Sequence, residues 1–453
     1  MGPAPGPGPD PGPGPGSGPS YSPPDRPRSP AVAAGCATAK TPRDRRPRMS
    51  GEDDRQASVT YEPNSVKELL GEMKDIAALL IDLSYSSVLF ESPALAEEVL
   101  ELESEMDVLQ LRARMSLVMA GRRPDDAEAL APVFGIVGAA EKISDAAGDI
   151  AKVVLEEIGL PAALRASLPD AVETLARATV SPDSPYDGRT LGDLDVETET
   201  GVRLIAVRRD HEWNVAPDRN TRLEAGDVFV CRGPEAGIET VYQDATGEPF
   251  SPPEVAATPI DDLDRAVETV VLMKNMSELA VDLAYGSVLF DSTDLAEEVR
   301  ELEVEVDALK SRFEVWALRA AAAVDDPVSI RGLLHIAAST EVISDAALEI
   351  SEGVLRGVGS HPVVEAAVQE SDEVMIRTTV GTGSPLSGRT IDRATTETGS
   401  GMQVVAIRRS GDRDRGERYL LSPSPETTLR PGDVLVSKGT RAATERLRER
   451  VTG

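Results

Sequence analysis

Four pairs of carboxylates are spaced so that each could hold a metal ion: Glu103 with Asp107, Glu141 with Asp145, Glu303 with Asp307, and Glu341 with Asp345. Residues four apart share one face of an α-helix, so each pair sets two hard oxygen donors side by side. Such donors suit Mg²⁺, Ca²⁺, Mn²⁺ or iron. The spacing has a second explanation. A chain with a formal net charge of −31 places carboxylates four apart by chance. Their repulsion costs only about 0.2–0.5 kcal/mol per pair, so no metal is needed to tolerate it.

A second group is cationic. Arg189, Arg208 and Arg209 recur as Arg389, Arg408 and Arg409 in a chain short of bases. Paired guanidiniums suit an anionic ligand, and neighbouring surface carboxylates are the other natural partners. Catalytic constellations are missing from the sequence. His211, His335 and His361 stand apart without metal-ligand spacing, and no Gly-x-Ser-x-Gly elbow occurs. Gly381-Thr382-Gly383 lacks the third glycine of a dinucleotide loop, and its counterpart Ser181-Pro182-Asp183 has no glycine at all, so both read as turns. The chain is expected not to be an enzyme.

The elements that carry these residues come in two copies. Leu83-Ser84-Tyr85-Ser86-Ser87-Val88-Leu89-Phe90 returns 200 positions later as Leu283-Ala284-Tyr285-Gly286-Ser287-Val288-Leu289-Phe290. Leu95–Val99 returns as Leu295–Val299, and Ile143–Ala147 as Ile343–Ala347. The offset grows to 206 at Gly226-Asp227-Val228 and Gly432-Asp433-Val434, which places a longer hairpin loop around Gly411 to Gly416.

Each copy begins helically. Ser65 with Glu68 reads as a capping box, Ser92-Pro93 opens a second helix, and Gly121 to Pro124 closes it. Leu95, Val99, Leu102, Met106 and Leu109 form one apolar stripe, and Ile136, Ala140, Ile143, Ala147, Ile150 and Val154 another. Three such helices bury their stripes against one another as a bundle. The period then changes. Arg203 to Val207, Gln403 to Ile407, Val228 to Cys231 and Val434 to Val436 read as short strands, with a capped helical turn at Thr190 to Asp193. The expected architecture is α+β. Helical bundles at 64–160 and 265–358 alternate with small α/β lobes at 170–243 and 372–450, joined by a proline-rich linker at 244–262.

Residues 1–48 are Pro/Gly-rich and read as a disordered tail. They carry seven bases and three acids, and the composition reverses sign before Met49. Met49 is therefore a candidate true start, the alternative being a basic arm. The acidic surface elsewhere disfavours nucleic acid and anionic membranes as partners. Cys36 and Cys231 imply no disulfide, and Cys231 reads as a small core residue. No membrane span or signal segment is read, so a cytoplasmic protein is expected.

The helical halves resemble PhoU domains, through Leu-Ala-Glu-Glu-Val at 95–99, Glu103, Asp107 and Glu141-Lys142-Ile143-Ser144-Asp145. The lobes resemble the TrkA C-terminal domain, the ligand-binding half of potassium-conductance regulators. Ser184-Pro185, Gly188-Arg189-Thr190-Leu191, Gly201 to Arg209 and Gly226-Asp227-Val228 carry that likeness. The alternation of the two, with the acidic, Arg-over-Lys composition, is similar to a haloarchaeal architecture.

The resemblance implies that the carboxylate pairs hold metal ions. Lys142, Val342, Asp149 and Glu349 depart from the usual metal motif. It also implies that the lobes pair within the chain or between chains, and that a cleft ligand such as a cyclic dinucleotide is bound. NAD is not expected, since the nucleotide-binding half of full TrkA proteins is missing. The implied partner is a membrane potassium channel or transporter subunit, and the implied role is regulation of potassium transport. The alternative is a metal-dependent regulator of phosphate uptake.

Overall fold

The computed structural model describes residues 65–121, 124–167, 174–210, 212–215, 217–251, 260–357, 362–370, 373–391, 393–394, 402–409 and 418–452. The expected tail, residues 252–259 of the linker between copies and the long hairpin loop lie outside these residues.

Helix α1 (Val66–Leu89) starts where expected: Ser65 Oγ accepts from Glu68 N at 3.1 Å, and the Glu68 carboxylate accepts from Ser65 N at 3.2 Å. Ser92 Oγ accepts from Leu95 N and Pro93 occupies the first turn of α2 (Pro93–Ala120), where its missing N–H costs nothing. Helix α3 (Pro124–Leu155) completes the first bundle. The expected stripes are buried, with Leu95, Val99, Met106, Ile143, Ala147 and Ile150 at 0% exposure. Each large apolar side chain so buried contributes about 1.5–3 kcal/mol.

In the second copy α8 (Asp261–Leu289), α9 (Thr293–Ala323) and α10 (Arg331–Leu355) repeat the arrangement, with a 3₁₀ turn at Pro327–Ile330 before α10. The two bundles pack through their third helices. Helix α3 runs antiparallel to α10, so that Pro132 meets Gly353 while Gly159 meets Gly332. A Cβ on Gly353 would stand 2.8 Å from Pro132 Cβ, and only glycine permits that approach. The copies also exchange contacts: Tyr85 Oη lies 2.7 Å from Thr340 Oγ1, Lys274 sits over the Tyr85 ring, and Lys74 sits over the Tyr285 ring.

Each lobe is a four-stranded antiparallel sheet. The first joins β1 (Thr174–Thr179), β2 (Arg203–Arg209), β3 (Glu212–Val215) and β4 (Val228–Gly233) in the order β1-β4-β2-β3. The second joins β5 (Val374–Thr379), β6 (Gln403–Arg409), β7 (Arg418–Leu421) and β8 (Val434–Gly439) in the equivalent order β5-β8-β6-β7. Short helices α5 (Leu191–Leu194) and α6 (Val196–Thr200) precede β2, and α7 (Glu235–Thr246) and α12 (Arg441–Thr452) close the lobes.

One face of the first sheet, with Ile205 and Val230, joins the bundle core, while Leu204, Val207, Phe229 and Cys231 face α7 in a separate core. Ile205 and Ala206 both face the bundles because the register shifts between Leu204 and Ala206; an extra residue in a strand breaks the strict alternation. The same shift recurs at Val404/Ala406. Gly226 (φ 95°) and Gly432 (φ 88°) supply the left-handed turn before β4 and β8. The connecting helices α4 (Ala162–Ser167) and α11 (Pro362–Glu370) cross over: α4 packs on α8, and α11 packs on α1. Among the described residues no helix is long and apolar enough to cross a membrane.

Charge is buried where lobes and bundles meet. Arg232 on β4 places Nε 2.7 Å from Asp82 Oδ2 on α1, and its counterpart Lys438 on β8 lies 2.8 Å from Asp282 Oδ2 on α8. Both cations also reach Glu373, just before β5, at 3.4 and 4.0 Å. Burial by itself would raise the Glu373 carboxyl. The charges of Lys438, Arg232, Lys74 and Arg203 outweigh it and hold the group well below the usual carboxylate range.

A depressed carboxyl adds stability that is complete above its ordinary value of 4.5 and is lost as the pH falls through the folded-state value. Glu373→Ala is therefore expected to cost about 3 kcal/mol at pH 7, as for one partner removed from a buried ion pair. In urea unfolding, the gap between wild type and Glu373→Gln should narrow as the pH drops below 4.5, and an unchanged gap would refute the role given to this carboxylate.

Candidate ligand cavity and carboxylate clusters

The two lobes of one chain touch directly. Thr198 Oγ1 lies 3.2 Å from Thr440 Oγ1, and Arg446 donates to the Thr198 carbonyl at 3.2 Å while pairing with Glu199 at 3.4 Å. These contacts join α6 of the first lobe to the β8–α12 edge of the second. Beside them opens a cavity of about 740 Å³.

One wall of the cavity is α6 with the start of α7, another is β6 with the Ser422–Pro425 turn, and the third is α8 through Asn275, Glu278 and Asp282. Its floor is the buried ion cluster, Arg232, Glu373 and Lys438, with Arg203 beside it. Glu197, Glu199, Glu235 and Glu278 make the remaining lining acidic. Two amide heads on the wall, Asn275 and Gln403, each have a buried oxygen with no protein partner. The site therefore holds paired cations at its base, two amide oxygens without a protein partner at its side and glutamates around them, a polar lining for a polar ligand.

None of the six arginines singled out in the sequence lines this cavity. Arg209 grips the buried Asp227 with two hydrogen bonds, Nε at 2.8 Å and Nη2 at 2.5 Å, and also donates to the Arg222 carbonyl. Arg409 does the same with Asp433 at 2.8 and 2.7 Å and with the Thr428 carbonyl. The side-chain hydrogen bond to Asp227 is the main reason the Arg209 guanidinium is held above its ordinary value. Each aspartate also accepts a backbone N–H, from Glu224 or Arg430, so the arginine locks the Gly-Asp turn to the central strand.

Arg208 stacks on the Trp213 ring at 5.3 Å, and Arg408 lies 3.5 Å from Asp294 on α9. Arg189 donates to the Asp193 carbonyl, closing the α5 turn, and Arg389 sits half-buried in the equivalent turn. Arg203, Arg232 and Lys438 are the basic residues that line the cavity; all were missed, the last two as an equivalent pair. Their signal was present: both are cations at the end of an otherwise apolar strand, at the 206 offset. Cys231 is buried, and burial pushes its thiol up to about 12, as befits a core residue.

The metal candidates divide by copy. Glu303 and Asp307 on α9 and Asp345 on α10 each offer an oxygen within 4.8 Å of the others, a hard donor set that fits a divalent cation. Glu341 is drawn aside by Lys310 at 2.6 Å. Burial first, and then the like charges of Asp307, Asp345 and Glu341, raise the Glu303 carboxyl. Asp345 is raised by burial and then by Glu341 and Asp307.

In the first bundle Glu103, Asp107 and Asp145 occupy the corresponding places, and Glu141 pairs with Arg114 at 3.4 Å. Burial and neighbouring acids raise Glu103 and Asp145, and, as Lys310 and Lys142 oppose the rise of Asp345 in the second bundle, the opposing base here is Lys152. Its ammonium lies 3.7 Å from Glu103 and 3.0 Å from Asp149.

Comparison with solved structures returns low likeness. The crystal structure of PhoU from Pseudomonas aeruginosa shares 14% identity, with 64% of this chain and 96% of that chain covered and a TM-score of 0.36. The GsuK RCK domain shares 17% identity over 62% of this chain and 63% of that chain, with a TM-score of 0.16. The human SLO3 gating ring shares 9% over 76% and 84%, with a TM-score of 0.21. None of the three supports an argument at these scores. Among curated proteins, none matches the chain at a significant level. The family models do match, the PhoU domain at residues 70–154 and 270–354 and the TrkA-C domain at residues 175–245 and 375–452. The chain is therefore a tandem PhoU and TrkA-C protein, two domains of each kind alternating along one sequence.

Proposed function

We propose that this protein is a regulatory subunit of cation transport, with potassium as the cation, that binds a small ligand between its paired lobes. The observation that carries the reading is the position of the cavity: its walls come from both lobes and from α8, and its floor is the ion cluster that seats the lobes on the bundles. An anionic group entering at Arg203, Arg232 and Lys438 competes with Glu373, Asp82 and Asp282 for the same cations. Ligand occupancy is thereby felt where each lobe meets its bundle, which is the differential contact that a two-state regulator needs. The ligand class assigned to the cavity is a cyclic dinucleotide, whose phosphates would meet Arg203, Arg232 and Lys438 past the glutamates of the walls. The TrkA-C domains supply the link to potassium, and the protein acts in the cytoplasm, at the membrane through a channel or transporter partner. It works by binding, not by catalysis.

A second reading, a metal-dependent regulator of phosphate uptake, is favoured by one observation, the converging carboxylates Glu303, Asp307 and Asp345. Deletion separates the two: disturbed potassium uptake supports the first, and disturbed phosphate repression supports the second.

Two outcomes are expected. Calorimetry with cyclic dinucleotides in molar potassium chloride should show binding by the wild type. Ala236→Trp, which places an indole on the cavity wall from an exposed position, should lower the affinity at least tenfold with the melting temperature unchanged. Equal affinity in the variant would move the site elsewhere. Affinity capture from native membranes at high salt should recover a potassium channel or transporter subunit, and recovery of a phosphate-transport component in its place would favour the second reading.

A further inference from the structure

The two carboxylate clusters descend from one pattern, and two of the positions at which they now differ bear directly on Glu103 and Glu303. In both copies a base removes the fourth acid, Arg114 taking Glu141 and Lys310 taking Glu341. What remains is Glu103, Asp107 and Asp145 in one bundle and Glu303, Asp307 and Asp345 in the other. The next residues along the third helix then diverge. Position 148 is glycine, and a Cβ there would stand 2.0 Å from Glu103 Oε2, so the Glu103 carboxylate fills the space a side chain would take. The counterpart is Leu348, a partly buried side chain packed against the core, so position 348 lacks the space that a glycine leaves. Position 152 is lysine, with Nζ 3.7 Å from Glu103 Oε1 and 3.0 Å from Asp149 Oδ1. Its counterpart is Glu352, whose carboxylate is bonded to Arg356.

The consequence is geometric. Glu303 keeps an oxygen with Asp307 and Asp345, all within 4.8 Å. Glu103 lies in the Gly148 notch beside an ammonium. We propose that Lys152 takes the cation's place in the first bundle, so that the chain holds a single divalent ion, at Glu303, Asp307 and Asp345.

This inference rests on the metal reading of the second bundle and is independent of the lobe cavity. A tethered ammonium beside Glu103 blocks a dication in two ways: it occupies a ligand oxygen, and when displaced it stays close enough to repel the ion. Lysine suits the role because its ammonium is a compact point charge on a flexible stem.

The test is a count. Full-length protein stripped of metal is dialysed against Mn²⁺ in molar potassium chloride, which screens loose binding to the acidic surface. Bound manganese is then measured by elemental analysis, with the thermal shift as a second readout. The wild type is expected to hold one ion per chain and Asp345→Asn none. Lys152→Met, which keeps the aliphatic stem, is expected to hold two, and Lys152→Met with Asp145→Asn to return to one. Two ions in the wild type would overturn the proposal. So would one ion lost by Asp145→Asn and kept by Asp345→Asn, no ion at all, or an unchanged count in both Lys152→Met and Lys152→Gln.

Discussion

The arrangement depends on a small set of buried charges. Arg232 and Lys438 end the central strands of the two sheets, Asp82 and Asp282 sit near the ends of the first helices of the two bundles, and Glu373 stands between the cations. A buried ion pair is a weak source of net stability, because desolvation offsets most of the attraction, but it is intolerant of misplacement. Only when both lobes are seated on their bundles do both cations find a carboxylate on a helix and also reach Glu373. Apolar burial drives the collapse. The charges discriminate between seated and unseated lobes, and they lie at the floor of the cavity.

The proposed ligand would be recognised by the same atoms that hold the assembly together. A ligand that met only lobe residues would have no means of changing how the lobes bear on the helices. Here Arg232 belongs at once to a strand, a helix contact and the cavity floor. The swapped contacts of the double bundle, with each buried lysine over the other copy's tyrosine ring and α3 against α10, make the helices one body. A disturbance at one lobe therefore loads both bundles.

Much of this was legible in the sequence, for reasons that differ by level. The bundles were readable because the apolar stripes have a helical period and the Ser65–Glu68 and Ser92-Pro93 starts carry their own chemistry. The duplication was readable because the offset holds at 200 through most of each copy. None of the edge strands β1, β3, β5 and β7 was read: four residues such as Glu-Trp-Asn-Val carry too little alternation to signal a strand, and Thr174–Thr179 mixes Ala and Arg among its threonines. The arginines show a harder limit. Arg209 and Arg409 recur together with Asp227 and Asp433, and a repeated Arg–Asp pair looks the same in sequence whether the arginine waits for a ligand or, as here, locks a turn. The cavity was out of reach because its walls join Thr200 to Gln403 and Asn275, residues from different copies that only the fold brings together.

Carrying both copies in one chain has a physical consequence that a homodimer lacks. In a symmetric dimer every substitution appears twice, so the two halves of a shared site cannot specialise. In this chain they have. Arg232 faces Lys438, Asp75 corresponds to Asn275, Gly148 to Leu348 and Lys152 to Glu352, while the helices and sheets around them stay equivalent. The Asn275 substitution puts a neutral amide on the cavity wall where the first copy has a carboxylate, which removes one negative charge from the path of the proposed anionic ligand. The scaffold keeps its approximate two-fold symmetry because packing requires it, and the chemistry departs from that symmetry wherever a single charged side chain reaches a site without disturbing the core.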